Sequence, residues 1–379
     1  MRAKALVDID NAFSDNTLYG SSPPSVFVGE QGYPKVLIGP QVPPILGEET
    51  AIMEKPDLWL DRSINEIISM RFSLVRTKKP IPVDSASNPD RVLAETQTLV
   101  LSDKPTDSEA ILLKRPQFNT VFSDVTLPIG PSAPLDLFEL DSNPHVPRAV
   151  DRVTSDTDVN ATIGVTEMYN DGIQQEHLTR LFSVGLLGIQ KNRRLVPTKW
   201  SITAIDDIVG KQLHEEVLYY PWISDYTVYM DKALGNTVIF LFIPSEWNFE
   251  AMECWLSGPN PHPINDYEFN RGRKNYAKDV AGAYYCTRLP ALEHLVKNRK
   301  QAGVMAFMEI NPREWVPLGV WRFRSIARRA LKGRGLKFES FDEAIKKVAS
   351  YLETPIERWL NRSTLYDYYT TQTKLDQFF

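Results

Sequence analysis

Thr237-Val-Ile-Phe-Leu-Phe-Ile243 decides the fold class. Short, β-branched and aromatic, it reads as a strand of a sheet packed against helices. Its core, Val238 to Ile243, is the longest apolar run in the chain, and it falls far short of the roughly eighteen residues that a bilayer span needs. Thr227 to Tyr229 and Val304 to Glu309 share its character. Around these strands the apolar period lengthens to that of helices: Gln174–Leu187, Ile202–Leu218, Lys274–Leu289, Ala291–Ala302, Val320–Leu331 and Phe341–Leu352. The second part of the chain is therefore expected to be helix-rich α+β.

Toward the N-terminus the texture changes. Of 27 prolines, 17 fall within residues 1–150, so this part is expected to be strand and loop. Ser25–Val28 and Lys35–Ile38, joined across Gly29, Gly32 and Pro34, have the pattern of a hairpin. Ser63 with Glu66 forms a capping box before a helix whose Ile64, Ile67, Ile68, Phe72 and Val75 share one face. Further strands are expected at Thr98–Leu101 and Ala110–Leu113. With the polar stretch Thr154–Asn160 as linker, the expected domains are 1–153, proline-rich and strand-containing, and 161–362, α+β, with a flexible tail over 363–379. The class of the whole is α+β.

A composition of 42% hydrophobic and 24% charged residues over 379 positions is that of a folded globular chain. No signal-like apolar segment opens it, and the only cysteines, Cys254 and Cys286, make no CxxC pair. Membrane, secretion, a disulfide framework and a cysteine-built zinc site are all unsupported, and a reducing cytoplasm is the expected compartment. The five histidines show no metal-ligand spacing, and neither GxxxxGK[ST] nor a strand-linked GxGxxG is present. The net charge of −5 conceals a partition. Residues 1–150 carry 14 bases and 20 acids; residues 212–270 carry one base and nine acids; residues 271–337 carry 16 bases and four acids, net +12. So dense a basic segment would create a local field that draws phosphate, whatever the total charge. The alternative is that folding scatters these residues or pairs them with the acidic stretch just upstream.

Several long strings carry a family resemblance: Ser25-Val-Phe-Val-Gly-Glu-Gln-Gly-Tyr-Pro34, Gly130-Pro-Ser-Ala-Pro-Leu135, Arg180-Leu-Phe-Ser183, Asn192-Arg-Arg-Leu-Val-Pro-Thr-Lys-Trp-Ser-Ile-Thr-Ala-Ile-Asp-Asp207 and Val316-Pro-Leu-Gly-Val-Trp321. On these the chain resembles the archaeal Nre family of DNA repair proteins along most of its length. The resemblance implies a role in DNA repair together with the sliding clamp PCNA, and names no reaction.

The C-terminus agrees with that implication. Gln372-Thr-Lys-Leu-Asp-Gln-Phe-Phe379 fits the PCNA-interacting pattern Q-x-x-L-x-x-F-F, with Gln372, Leu375, Phe378 and Phe379 as the contacting residues. Average residue usage would produce such a pattern at roughly one position in twenty thousand. The residues expected to meet DNA are Arg193, Arg194, Lys199, Arg271, Arg273, Lys274, Arg288, Arg322, Arg324, Arg328 and Arg329. Arg334 and Lys337 extend the face expected of the helix Val320–Leu331. Projected on a helix, Asp206 falls on the apolar stripe of Ile202, Ile205, Ile208, Val209, Leu213 and Val217, whereas Asp207 faces the polar side. A carboxylate so placed needs a cation or a metal. Asp206 is accordingly expected to be buried against Arg193, Arg194 or Arg288, with a catalytic role as the alternative.

The leading expectation is a DNA repair protein tethered to PCNA that binds DNA through its basic C-terminal segment and processes damaged or branched substrate. A metal-dependent nuclease would need two or three carboxylates converging on a divalent cation, and Asp206, Glu167 and Glu309 are the candidates. The alternatives are a non-catalytic adaptor that recruits repair enzymes to the clamp, and an enzyme acting on a small phosphorylated ligand held by Arg193, Arg194 and Arg288.

Overall fold

In the computed structural model, which describes residues 16–117, 123, 125–313 and 318–371, the chain begins with strand β1 (Thr17–Ser22) and then forms the expected hairpin. β2 (Val26–Val28) runs antiparallel to β3 (Lys35–Val42). Gly32 turns the chain between them at φ +84°, and a Cβ there would come within 2.7 Å of the Lys35 carbonyl oxygen, so the turn requires glycine. Helix α1 (Ile64–Phe72) starts at the capping box: Ser63 accepts from the Glu66 N–H, and the Glu66 carboxylate accepts from the Ser63 N–H. Strand β4 (Val75–Pro82), helix α2 (Arg91–Leu101), β5 (Thr106–Leu112), β6 (Ser132–Leu140) and helices α3 (Arg148–Ser155), α4 (Ala161–Asn170) and α5 (Gln175–Ser183) follow. The segment Thr98–Leu101, read from sequence as strand, is the last turn of α2. Its apolar residues pack inward with Val92 and Leu93.

The first sheet has the order β1-β5-β6-β4-β3-β2, antiparallel throughout except for the parallel pair β4/β6. Strand alternation sends Val75 and Thr77 of β4, with Ala133 and Leu135 of β6, to one face, where α2 supplies Val92 and Leu99 to the core. Arg76 and Lys78 go to the other face.

Helix α6 (Thr198–Val217) continues the chain, and the division between two compact units falls inside it. One unit is Met1–Val209 with Pro317–Gly319; the other is Gly210–Val316 with Val320–Phe379. The polar stretch 154–160, read as a linker, lies within the first unit instead: its Asn160 caps α4, and Asp156 accepts from the N–H groups of Asp158 and Val159.

The second unit is built on the sheet β10-β9-β11-β8-β7-β12. Its strands are β7 (Tyr226–Ala233), β8 (Asn236–Ile243), β9 (Asn248–Trp255), β10 (Ile264–Glu268), β11 (Gly303–Ile310) and β12 (Leu336–Phe338). Every residue of β8 and of β11 is buried, because helices cover both faces of this sheet; that is why 237–243 is continuously apolar rather than alternating. Helix α7 (Gly282–Asn298) lies on one face, with Tyr284 against Phe249 and His294 against Phe242, and α8 (Trp321–Lys332) packs beside it. Helices α9 (Phe341–Ala349), α10 (Ile356–Leu360) and α11 (Thr364–Thr371) cover the other face. Sequence reading placed two helices at 274–289 and 291–302. The structure has one, which carries Pro290 within it. The α+β class stands.

Candidate nucleic-acid interface

Folding sorts the eight bases of this segment that were expected to meet DNA into two groups. The first is internal. Arg322 and Arg324 are 1% and 4% exposed: the Arg322 Nε donates to Asn236 Oδ1 at 3.2 Å, and an Arg324 Nη lies 3.3 Å from Cys286 Sγ. Arg288, on α7, donates to Glu268 at 2.8 Å in a buried pair that also receives the Trp247 indole N–H. Arg328 meets Glu293 through two hydrogen bonds of 2.7 and 3.0 Å, and Arg329 meets Asp231. The phosphate-contacting face expected of α8 is thus not formed by Arg322 and Arg324, which are interior, and carboxylates already offset Arg328 and Arg329. A stripe that projects outward on an isolated helix meets a sheet here.

The second group is at the surface, beside the edge strand β10. Asp266, 5% exposed, accepts from the Arg273 guanidinium at 2.7 Å and from the N–H groups of Asp279 and Val280 at 2.9 and 2.8 Å. Arg273 also donates to the carbonyls of Tyr267 and Asn275. It therefore staples the loop that follows β10. Arg271 and Lys274 flank this staple, both exposed, and no carboxylate pairs with either among the described residues. They line a cleft of about 690 Å³ together with Arg362 and Thr364. Of its three acidic lining residues, Asp266 is held by Arg273, Glu268 by Arg288 and Asp279 by Arg362 at 3.7 Å. The uncompensated charge of the cleft is that of Arg271 and Lys274. Two aromatic side chains line it: Tyr267 and Phe269 are 40% and 38% exposed, and Phe269 packs 5.2 Å from Tyr368. Sequence reading named the three bases but not Tyr267 and Phe269, which lie at the end of the edge strand β10.

The remaining expected residues do not converge. Asp206 is buried at 1% exposure, as its position on the stripe requires, with Ile205, Val209, Leu213 and Val217 buried beside it. Arg193 and Arg194 are not its partners. Arg193 donates to the carbonyls of Gly188 and Asp156, and Arg194 to those of Lys191 and Arg193. Lys199 is exposed, 3.6 Å from Glu30. The anion clamp expected of Arg193, Arg194 and Arg288 is therefore not assembled, since the first two are spent on main-chain carbonyls and the third on Glu268. Glu309 accepts from the N–H groups of Glu353 and Thr354, each at 2.8 Å, and Glu167 lies on α4 near Arg152. Among the described residues no three carboxylate, histidine or cysteine side chains are grouped to hold a metal. The motif Gln372, Leu375, Phe378 and Phe379 lies outside the described residues, beginning at the position after the end of α11.

Comparison with known proteins fits this chain at both ends. The profile described as "Archaeal Nre, N-terminal" matches residues 1–259, and that described as "Archaeal Nre, C-terminal" matches residues 268–378. The chain belongs to the archaeal Nre family. Among Nre relatives, "DNA repair protein NreB" of Archaeoglobus fulgidus is 35% identical over 357 residues, covering 93% of this chain and 89% of that one. "DNA repair protein NreA" of the same organism is 35% identical over 344 residues, covering 89% and 86%. "DNA repair protein NreA" of Haloferax volcanii is 32% identical over 363 residues, covering 92% and 86%. No solved structure matches. Among the described residues no helix is long and apolar enough to cross a membrane.

Proposed function

We propose that this Nre chain acts in DNA repair by holding single-stranded DNA in the cleft beside β10 while its C-terminal motif tethers it to PCNA. The observation that carries the DNA part is the pair Arg271 and Lys274, exposed and unmatched by carboxylates among the described residues, set in one cleft with exposed Tyr267 and Phe269. Cations that track a phosphate backbone beside rings on which bases stack are the parts of a single-strand groove. The names of the relatives support the repair role. The tether rests on the sequence of the motif: two phenylalanines and a leucine can each contribute about 1.5 to 3 kcal/mol on burial, before the cost of ordering the segment.

One pair of variants tests the reading. In fluorescence anisotropy with a labelled single-stranded oligonucleotide, Arg271→Glu with Lys274→Glu abolishes binding and leaves the melting temperature unchanged, because neither side chain supports the fold. Calorimetry against PCNA reads the other half: removal of residues 372–379 eliminates clamp binding and leaves DNA affinity intact. DNA affinity unaltered by the double charge reversal, or clamp binding unaltered by the truncation, refutes the corresponding half.

A further inference from the structure

The first sheet holds two cations that its own carboxylates do not answer. Arg76 and Lys78 are two apart on β4 and therefore share the face opposite the α2 core. Arg76 crosses the strands so that its guanidinium lies 4.0 Å over the Phe27 ring of β2. Its Nη2 passes beside Gly29, where a Cβ would come within 3.3 Å. The Arg76 Nε is buried and has no hydrogen-bond partner among the described residues. Neither Arg76 nor Lys78 has a carboxylate partner among the described residues.

Acidic groups are at hand in this unit but are committed elsewhere. Lys79, the next residue along, pairs with Asp90 at 2.8 Å on the α2 side of the sheet. Gln41, registered opposite Arg76, accepts from the buried Arg71, which also meets Glu54; Glu54 in turn takes Ser25 and lies 3.5 Å from Arg180. Burial pushes the Arg76 guanidinium down to about 10, and burial together with Arg76 lowers the Lys78 ammonium. Two adjacent, partly desolvated like charges are unfavourable unless an anion completes them.

We propose that Arg76 and Lys78, on the floor formed by Phe27 and Gly29, are the binding site for the dianionic phosphate of a phosphomonoester. The chemistry selects this class. A guanidinium stacked flat on a ring presents its edge as a planar fork that phosphate accepts bidentately, and the ammonium adds a second point charge. Two unmatched positive charges are met by a dianion, whereas a backbone phosphodiester carries one negative charge. The site is independent of the cleft beside β10, lies in the other unit, and does not rest on the reading given to that cleft. Its phosphate has two sources, a free nucleotide or the phosphorylated end of a nucleic acid.

Thermal melting and calorimetry of the full chain decide it, with inorganic phosphate, AMP and a short oligonucleotide with and without a 5′-phosphate as probes. Inorganic phosphate raises the melting temperature of the wild type, and the affinity for AMP falls as pH drops through about 6, where the second proton of a phosphomonoester returns. Arg76→Gln and Lys78→Met each lose the phosphate-dependent rise. Without phosphate, Lys78→Met melts no lower than wild type, since it removes a repulsion, and this separates lost binding from lost fold. Arg271→Glu with Lys274→Glu keeps the response. AMP binding identifies a free nucleotide, and preference for the 5′-phosphorylated oligonucleotide over its hydroxyl counterpart identifies a nucleic-acid end. A wild type that binds none of the probes, or an Arg76→Gln, Lys78→Met double variant that binds them unchanged, overturns the proposal.

Discussion

His177 shows how far a single side chain can be read from sequence. Lone histidines outside any metal spacing suit surface or capping roles, yet His177 is buried, with Nε2 2.8 Å from the Val100 carbonyl oxygen. Burial, aided by the Arg180 cation, pushes its imidazole down to about 4 against the pull of that hydrogen bond. In the unfolded chain the same group titrates near its ordinary value of about 6.5. Above that pH both states are neutral and the contribution is fully present. As pH falls from about 6.5 toward 4, the unfolded chain takes up a proton that the folded chain refuses, and stability declines by up to about 1.4 kcal/mol per pH unit. Urea titrations from pH 7 to 5 will show this slope in wild type and a shallower one in His177→Gln; equal slopes would contradict it. Asp206 was more legible, because helical projection alone places it among Ile205, Val209 and Leu213. Arg288, a charge inside an apolar run, was legible as buried. Its partner Glu268 was not, because it lies 20 residues away on a strand the sequence did not announce.

At the scale of elements, the apolar and capping signals were legible and the acidic strands were not. The β2/β3 hairpin, the Ser63 box, β8 and β11 follow from local pattern. β9 and β10 escaped because Glu250, Glu253, Asp266 and Glu268 give them the look of a solvated segment. Glu250 is in fact fully buried. It accepts from Asn265 at 2.7 Å, from the N–H of Thr364 at 2.8 Å and of Leu365 at 3.3 Å, and from the Ser363 hydroxyl. A strand side chain thereby serves the N-terminus of α11, whose first N–H groups have no partner within the helix. Burial raises the Glu250 carboxyl above its usual range even against these donors. Glu250→Ala strands them, at a cost of about 3 kcal/mol. Hydrogen exchange will show α11 losing protection ahead of the sheet core; protection equal to wild type would mean that Tyr369, bonded to Ser245 and Asn248, holds the helix by itself.

For the whole molecule, composition and strand–helix alternation disclosed the α+β class and the sequence strings disclosed the family, but charge counting overstated the basic surface. The acidic stretch just upstream supplies Asp225, Asp231, Asp266 and Glu268 as partners of Lys337, Arg329, Arg273 and Arg288. These pairs offset four of the sixteen bases, and among the bases left exposed, Arg271 and Lys274 are set in one cleft with Tyr267 and Phe269. The division inside α6 was hidden because a continuous helical period bears no mark where one unit gives way to the next. These corrections set the number of phosphate contacts. A face built from Arg322, Arg324, Arg328, Arg329 and Lys332 of α8, extended by Arg334 and Lys337, would engage about six phosphates, with a slope of log affinity against log salt near −5 on duplex DNA. The cleft offers Arg271 and Lys274, Arg362 being paired with Asp279, hence about two contacts and a slope near −1.4 on single strands. The most direct test is the affinity of the full chain for a single-stranded oligonucleotide from 50 to 300 mM salt. The expected slope is near −1.4, brought close to zero by Arg271→Glu with Lys274→Glu; a slope near −5, or one the double variant leaves unchanged, would contradict a cleft that holds DNA through these two bases.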